Sequence, residues 1–147
     1  MSTTDTSLKL AQQFLAAFAA GDPDAALALM PEDANLTIRL GIDGTPAPWY
    51  VFDGAAHVRG YIESVAAKFD HVAFLDQVWT VGHDGASVFV ETRGDILSSA
   101  EKLTYRNVYV FKFEIVGDKI ARVTEYANPV TYANLGIENS AAETAAQ

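Results

Sequence analysis

Residues 105–127, YRNVYVFKFEIVGDKIARVTEYA, decide the fold of this chain. In the first half of this stretch, aromatic residues and Asn107 alternate with charged and aliphatic residues. A period of two predicts a strand with one covered face. A turn at residues 116–118 leads into a second predicted strand, residues 119–127, whose alternation points Glu125 inward. A carboxylate and a carboxamide are therefore expected to share one apolar face.

The predicted position of Glu125 indicates a special role, because burying an unpaired carboxylate is costly. Such a group has a charged or hydrogen-bonding partner, a raised pKa or a chemical function. A partly dry pocket would suit Glu125 as a general base. Arg93 could orient it and stabilise charge, although a close cation also lowers the pKa of a carboxylate.

A structural alternative for Arg93 and Asp95 is an ion pair that bridges neighbouring strands. In a regular strand these two residues lie on the face opposite Val88 and Val90. A bulge at Gly94 would re-aim them towards the pocket. Both interpretations remain open at the level of sequence.

Length and composition predict one domain over residues 1–147, because half of the residues are hydrophobic and can form a sizeable core. The absence of cysteine excludes disulfides and thiolate chemistry. The net charge of -9 argues against nucleic-acid and membrane partners, although solubility explains it equally well. The first residues lack the basic and apolar regions of a signal peptide, so a cytoplasmic protein is expected.

The remaining pattern predicts an α+β domain. Amphipathic spacing predicts helices over residues 7–20, 22–30 and 53–70. Strands are predicted over residues 35–41, 49–52, 71–81 and 86–97, and a polar tail over 138–147. We expect a strongly curved, mostly antiparallel sheet wrapped around N-terminal helices, a cone-shaped barrel with an internal hydrophobic pocket.

Four segments resemble the nuclear transport factor 2-like superfamily in its SnoaL-like branch: Ala20-Gly21-Asp22, Phe52-Asp53-Gly54, Gly117-Asp118-Lys119-Ile120 and Glu125-Tyr126-Ala127-Asn128-Pro129. The match covers about residues 7–137, which would form the folded part. The resemblance implies the cone fold, a homodimer and cofactor-free enzymes such as ketosteroid isomerases, polyketide cyclases, dehydratases and lyases. It also implies members that only bind a ligand.

Two shorter segments are similar to limonene epoxide hydrolase. Arg93-Gly94-Asp95 resembles its Arg-x-Asp strand pair, and Glu125-Tyr126 resembles the Asp-Tyr whose carboxylate positions water. The chain departs from this pattern because Glu replaces Asp. The polar residues expected on the first strand also lack clean counterparts, Thr37 and Arg39 being the nearest.

Glu125, Arg93 and Asp95 are thus the predicted catalytic residues. The predicted substrate-binding residues are polar or aromatic groups near strand ends or on the inner face: Asn107, Tyr109, Trp49, Thr37, Arg39, His71 and Asn128. No metal or cofactor is predicted, since the three histidines form no ligand spacing. Residues 130–135 would fold over the pocket as a lid, with an ordinary strand end as the alternative.

The predicted function is cofactor-free acid–base chemistry on a small hydrophobic, cyclic or aromatic molecule. The alternatives are an epoxide hydrolase and a non-catalytic binding or dimerisation module. A homodimer is expected because the outer face of the sheet is predicted to carry four valines, too much apolar area for a monomer to expose: Val88, Val90, Val108 and Val110.

Overall fold

A computed structural model describes residues 2–136 and residue 146. Its elements in chain order are α1 (Thr3–Ala20), α2 (Pro23–Leu27), β1 (Asn35–Ile38), β2 (Tyr50–Asp53), α3 (Ala55–Lys68), β3 (His71–Val81), β4 (Ser87–Ser98), β5 (Leu103–Val116), β6 (Lys119–Ala127) and α4 (Pro129–Ala133). The predicted α+β class is confirmed.

The six strands form one curved, unclosed sheet in the order β2-β1-β6-β5-β4-β3. Neighbouring strands are antiparallel except β1 and β6, which pair in parallel and align Ile38 with Glu125. The helices cover the inner face, where the aromatic residues of β5 are buried with Phe14 and Phe18 of α1. The predicted cone fold is thereby confirmed.

Helix α1 begins four residues before its predicted start because Ser2 caps it, accepting a hydrogen bond from the backbone N–H of Asp5. It ends at Gly21, whose φ of 65° is the left-handed conformation that glycine adopts without strain. Inside the helix, the buried Ser7 hydroxyl donates to the carbonyl of Gly85 at 2.7 Å. This bond ties α1 to the turn between β3 and β4.

Strand β4 pairs with β5 in an unbroken register, so its side chains alternate regularly. Val88 and Val90 are fully buried, and the predicted outer position of these two valines is wrong. The predicted bulge at Gly94 is also wrong, because the register shift lies in β3, between Leu75 and Val78.

Gly94 instead leaves room for an aromatic ring of β5. A Cβ at this position would lie 2.6 Å from Cε2 of Tyr109, closer than van der Waals contact permits. Its absence lets the Tyr109 ring lie against the backbone of β4, on the inner face of the sheet.

Within residues 2–136 and 146, no helix is long and apolar enough to cross a membrane. The predicted tail, residues 138–147, lies outside the described residues apart from Ala146, which is partly buried against the core.

Candidate functional site

A small cavity of about 60 Å³ lies between the inner face of the sheet and helices α1, α3 and α4. Five of the six tyrosines of the chain line it, together with tryptophan, phenylalanine and aliphatic side chains: Tyr50, Tyr61, Tyr105, Tyr109 and Tyr132. Among the described residues that line it, Glu125 and Lys68 are the only charged ones. The cavity therefore combines an aromatic lining with one acidic and one basic side chain, Glu125 and Lys68.

Glu125 projects from β6 into this cavity and is only 6% exposed. Its strand neighbours are Phe111 on β5 and Ile38 on β1, so alternation directs its side chain to the covered face. The Tyr61 hydroxyl of α3 donates to Oε1 of Glu125 at 3.2 Å. This bond orients the carboxylate, and the Tyr61 ring is itself held by stacking on Phe52 at 4.5 Å.

Two further tyrosines, Tyr105 and Tyr109, line the cavity from β5. The Tyr105 hydroxyl oxygen accepts a hydrogen bond from Nδ2 of Asn107 at 2.6 Å. Burial raises the pKa of Tyr105 above its usual value of 10.0 and raises the pKa of Tyr109 well above it, and the nearby charge of Glu125 adds to both effects. Both phenols are therefore protonated, and able to donate hydrogen bonds, at neutral pH.

Tyr132 of α4 forms part of the cavity wall. Lys68, at the end of α3, donates from Nζ to the Tyr132 hydroxyl at 3.0 Å. Trp49 meets the Tyr132 ring edge-on at 6.0 Å, and Tyr105 meets it edge-on at 5.6 Å. Helix α4 thus covers the cavity in the region predicted as a lid, and Trp49 lines it as the sequence predicted.

Asn107 is buried on the inner side but does not line the cavity. It donates from Nδ2 to the Tyr105 hydroxyl oxygen at 2.6 Å and to the Asn128 carbonyl at 2.9 Å. Both of its amide protons are used in these two bonds, and donation from Asn107 to a substrate stays a prediction.

Asn128 lies at the cavity mouth, where it joins β6 to α4. Its side-chain oxygen accepts hydrogen bonds from the backbone N–H groups of Val130 and Thr131, which makes it the N-cap of α4. Its side chain therefore positions the helix that closes the cavity, and a role in substrate binding stays a prediction.

Arg93 and Asp95 do not line the cavity, and the prediction that they support Glu125 is wrong. The regular alternation of β4 turns both towards the outer face of the sheet, opposite Val88 and Val90. Arg93 pairs there with Asp76, with Nε 2.8 Å from Oδ2, and Asp95 accepts from Nε of Arg106 at 3.1 Å. The alternative of structural ion pairs between strands describes them correctly.

Three other predicted site residues also lie away from the cavity. Thr37 faces outward because Leu36 and Ile38, its neighbours on β1, point inward. The guanidinium of Arg39 donates to the carbonyl of Pro46 at 2.7 Å, which braces the loop before β2. His71 is exposed at the start of edge strand β3. None of the three lines the cavity, and their contact with a substrate stays a prediction.

Four cavity residues were not among the predicted site residues: Tyr50, Tyr61, Tyr132 and Lys68. Tyr61 lies on the apolar face of α3. A signal was present, because a phenol on the buried face of a helix needs a partner for its hydroxyl. Glu125 is such a partner, 64 positions along the chain.

Chemically, this arrangement can accept a proton at a carboxylate and donate hydrogen bonds from phenols within an enclosed aromatic space. Among residues 2–136 and 146 there is no group of three histidine, cysteine or acidic side chains that could hold a metal ion.

Solved structures with a similar fold include proteins described as polyketide cyclases and isomerases. A proposed polyketide cyclase from Pseudomonas putida is 28% identical, with a TM-score of 0.70 over 91% of this chain and 97% of that one. A proposed isomerase from Bacillus subtilis is 21% identical, with a TM-score of 0.76 over 91% of this chain and 94% of that one.

The epoxide hydrolase/cyclase-like enzyme SalBIII, of pyran ring formation in the polyether salinomycin, is 19% identical. Its TM-score is 0.70 over 86% of this chain and 94% of that one. A comparison with curated proteins found no match.

The family model of the SnoaL-like domain matches residues 11–123. This range runs from the middle of α1 to the middle of β6, and the predicted resemblance to the SnoaL-like branch is confirmed. The chain therefore belongs to the SnoaL-like domain family of the nuclear transport factor 2-like superfamily.

Proposed function

We propose that this protein is a cofactor-free acid–base enzyme of cyclase or isomerase type. In this proposal Glu125 takes up and returns a proton of a small hydrophobic substrate bound in the cavity. The observation that carries it is a carboxylate that is only 6% exposed, held by a phenol and surrounded by aromatic rings. A positioned base contributes about 10²–10⁴-fold to a rate.

The aromatic lining favours a cyclic or aromatic substrate. Flat rings pack well against the faces and edges of tyrosine and tryptophan side chains. A cavity of about 60 Å³ holds only a few water molecules, so a substrate must displace the side chains at the mouth. Tyr132 and Trp49 are the groups that would move, because they close the mouth.

Epoxide hydrolysis is the less supported alternative. The likeness of the fold to SalBIII suggests it, but the Arg93 and Asp95 pair on which the sequence comparison rested lies on the outer face. A non-catalytic binding module is favoured by one observation, namely that most of the lining is apolar.

Proton transfer can be tested without knowledge of the product. A panel of cyclic and aromatic ketones would be incubated with the protein in D₂O, and deuterium uptake at carbon would be followed by mass spectrometry. We expect uptake with the natural protein and at least a tenfold loss in Glu125→Gln. Glu91→Gln, an exposed change on β4, is the matched control and should exchange normally.

Equal exchange in Glu125→Gln and the natural protein would remove Glu125 from the mechanism. Binding of panel members without exchange in either protein would support the binding module. Circular dichroism of each variant would establish that the fold is intact.

We further propose a homodimer formed through the outer face of the sheet. An open concavity there is lined mainly by apolar side chains, among them Val78 and Val108, which are 60% and 63% exposed. Val110 and Tyr126 continue this surface. Sedimentation should show a dimer at micromolar concentration and a monomer for Val108→Asp. A monomeric natural protein would refute this proposal.

A further inference from the structure

Helix α3 carries a lysine on the side that lines the cavity. Tyr61, Val65 and Lys68 follow one another at intervals of four and three residues, which places them along one side of the helix. All three line the cavity, whereas Glu63 and Ala66 are exposed. A cation therefore occupies a position that the helical pattern would give to an apolar residue.

The simplest explanation of this lysine is that it stabilises the end of α3. A basic residue in the last turn interacts favourably with the helix dipole, and Lys68 lies in that turn. An exposed lysine would serve equally well, because lysines normally keep their charged end in water. Lys68 is instead half-buried, and its Nζ lies 3.0 Å from the Tyr132 hydroxyl in the cavity wall. The dipole thus explains the charge but not its direction.

Tyr132 fixes the position of the ammonium group. Lys68 donates from Nζ to the Tyr132 hydroxyl, and the same Nζ lies 5.7 Å from the centroid of the Tyr132 ring. The hydrogen bond to Tyr132 uses one of the three N–H groups of an ammonium. A long side chain loses rotamer freedom when it binds a ligand, and a side chain that is already fixed loses less. Lys68 is therefore preorganised to bind an anion.

Glu125 and Lys68 lie at different levels of the cavity. Glu125 accepts a hydrogen bond from Tyr61, which precedes Lys68 by seven residues on α3. Seven residues of an α-helix span about 10 Å, so the two levels are about two helical turns apart. A ring that bears a carboxylate on one side can therefore present its opposite side to Glu125.

The charges of the cavity favour an anion at Lys68 in spite of the carboxylate of Glu125. Coulomb energy falls inversely with distance, so an ion pair at about 4 Å outweighs the repulsion from a carboxylate twice as far away about twofold. The chain as a whole has a net charge of -9, so an anionic ligand needs a local cation. Among the described residues that line the cavity, Lys68 is the only cation.

We propose that Lys68 is a specificity-determining residue that binds a carboxylate group of the substrate. The ligand class is a cyclic or aromatic carboxylic acid, whose carboxylate pairs with the ammonium group while its ring packs against the aromatic lining. This inference rests on the proposed function for the role of Glu125 as the base. The preference for a negative charge is measurable without turnover.

Benzoate and benzamide are suitable probes, because they share a ring and a similar shape but only benzoate is charged. Their dissociation constants would be measured at neutral pH by isothermal titration calorimetry. We expect the natural protein to bind benzoate more tightly than benzamide. Lys68→Gln removes the charge but keeps an N–H donor for Tyr132. It should weaken benzoate binding about 10- to 150-fold, the range for a hydrogen bond to a charged group, and leave benzamide binding nearly unchanged.

Two further variants separate recognition of the charge from a structural role. Lys9→Gln is the matched control, because it removes the same charge from an exposed position on α1, and it should keep the preference for benzoate. Lys68→Arg retains a cation and should keep the preference as well. If Lys68 only held Tyr132 in place, its replacement would weaken the binding of both ligands alike.

Equal binding of the two ligands by the natural protein, or no binding of benzoate, would overturn the proposal without any variant. A preference for benzoate that survives in Lys68→Gln would overturn it as well. The base is tested separately. Normal deuterium exchange by Glu125→Gln would refute the role of Glu125 and leave the carboxylate site standing, whereas loss of exchange without a preference for benzoate would do the reverse.

Discussion

Replacement of Gly94 by alanine tests the packing that shapes the cavity. The new Cβ would lie 2.6 Å from Cε2 of Tyr109, whereas carbon atoms in good contact are about 3.5–4.0 Å apart. The Tyr109 ring cannot simply retreat, because it stacks on Phe111 at 5.4 Å and meets Phe74 edge-on at 5.5 Å. It can move only towards the cavity, which Tyr109 lines.

Extra atoms in a packed core cost about 1–3 kcal/mol in unfolding free energy. For a domain of this size, each kcal/mol lowers the melting temperature by about 2–4 °C. We therefore expect Gly94→Ala to melt about 2–12 °C below the natural protein and to bind acetophenone, a simple aromatic ketone, more weakly, because Tyr109 would intrude on the cavity.

Thermal and urea unfolding of Gly94→Ala and Gly41→Ala would measure this difference. A Cβ on Gly41 would meet Trp49 at an ordinary 3.5 Å, so this control should be as stable as the natural protein or slightly more so. If Gly94→Ala unfolded at the same temperature and denaturant concentration as the control, the inferred collision with Tyr109 would be wrong.

Arg93→Ala should change the free energy of unfolding by no more than about 0.5 kcal/mol and leave deuterium exchange unaltered, because its salt bridge with Asp76 is exposed. A large loss of exchange would show that Arg93 does act in the site. Tyr132→Ala should speed the association of acetophenone, measured by stopped-flow fluorescence, because it removes the contacts that close the mouth; unchanged association would show that access lies elsewhere. For Tyr105 and Tyr109, whose pKa values are raised by burial, ultraviolet titration should show ionisation delayed beyond pH 10. Their contribution to stability is complete below the unfolded pKa of about 10 and falls as pH rises above it, so a protein equally stable well above pH 10 would contradict the assignment.

The strands were predictable wherever a regular alternation met a turn. The predicted ranges for β3 and β6 agree with the structure, since period-two patterns and the turn before Lys119 specify them locally. The predicted start of α1 at Ser7 was late because the capping hydrogen bond of Ser2 lies outside the amphipathic pattern.

The candidate site was predictable only in part. Alternation along β6 placed Glu125 on the covered face, and the aromatic stretch indicated what would surround it. The same alternation predicts an outward position for Arg93, as the structure shows. The inward position was predicted from the resemblance to the Arg-x-Asp strand pair of limonene epoxide hydrolase, and it is wrong. Asn107 was placed on the correct face, but its partners depend on where the chain returns after β6.

Local sequence alone therefore determined the α+β class, the long strands and the inward direction of Glu125, because side-chain alternation is a property of a single strand. The tertiary structure alone decided that Tyr61 holds this carboxylate, that Tyr132 and Lys68 close the cavity, and that Arg93 faces outward beside Asp76. Those contacts join residues distant in the chain, and they form only when sheet curvature and helix packing bring separate elements together.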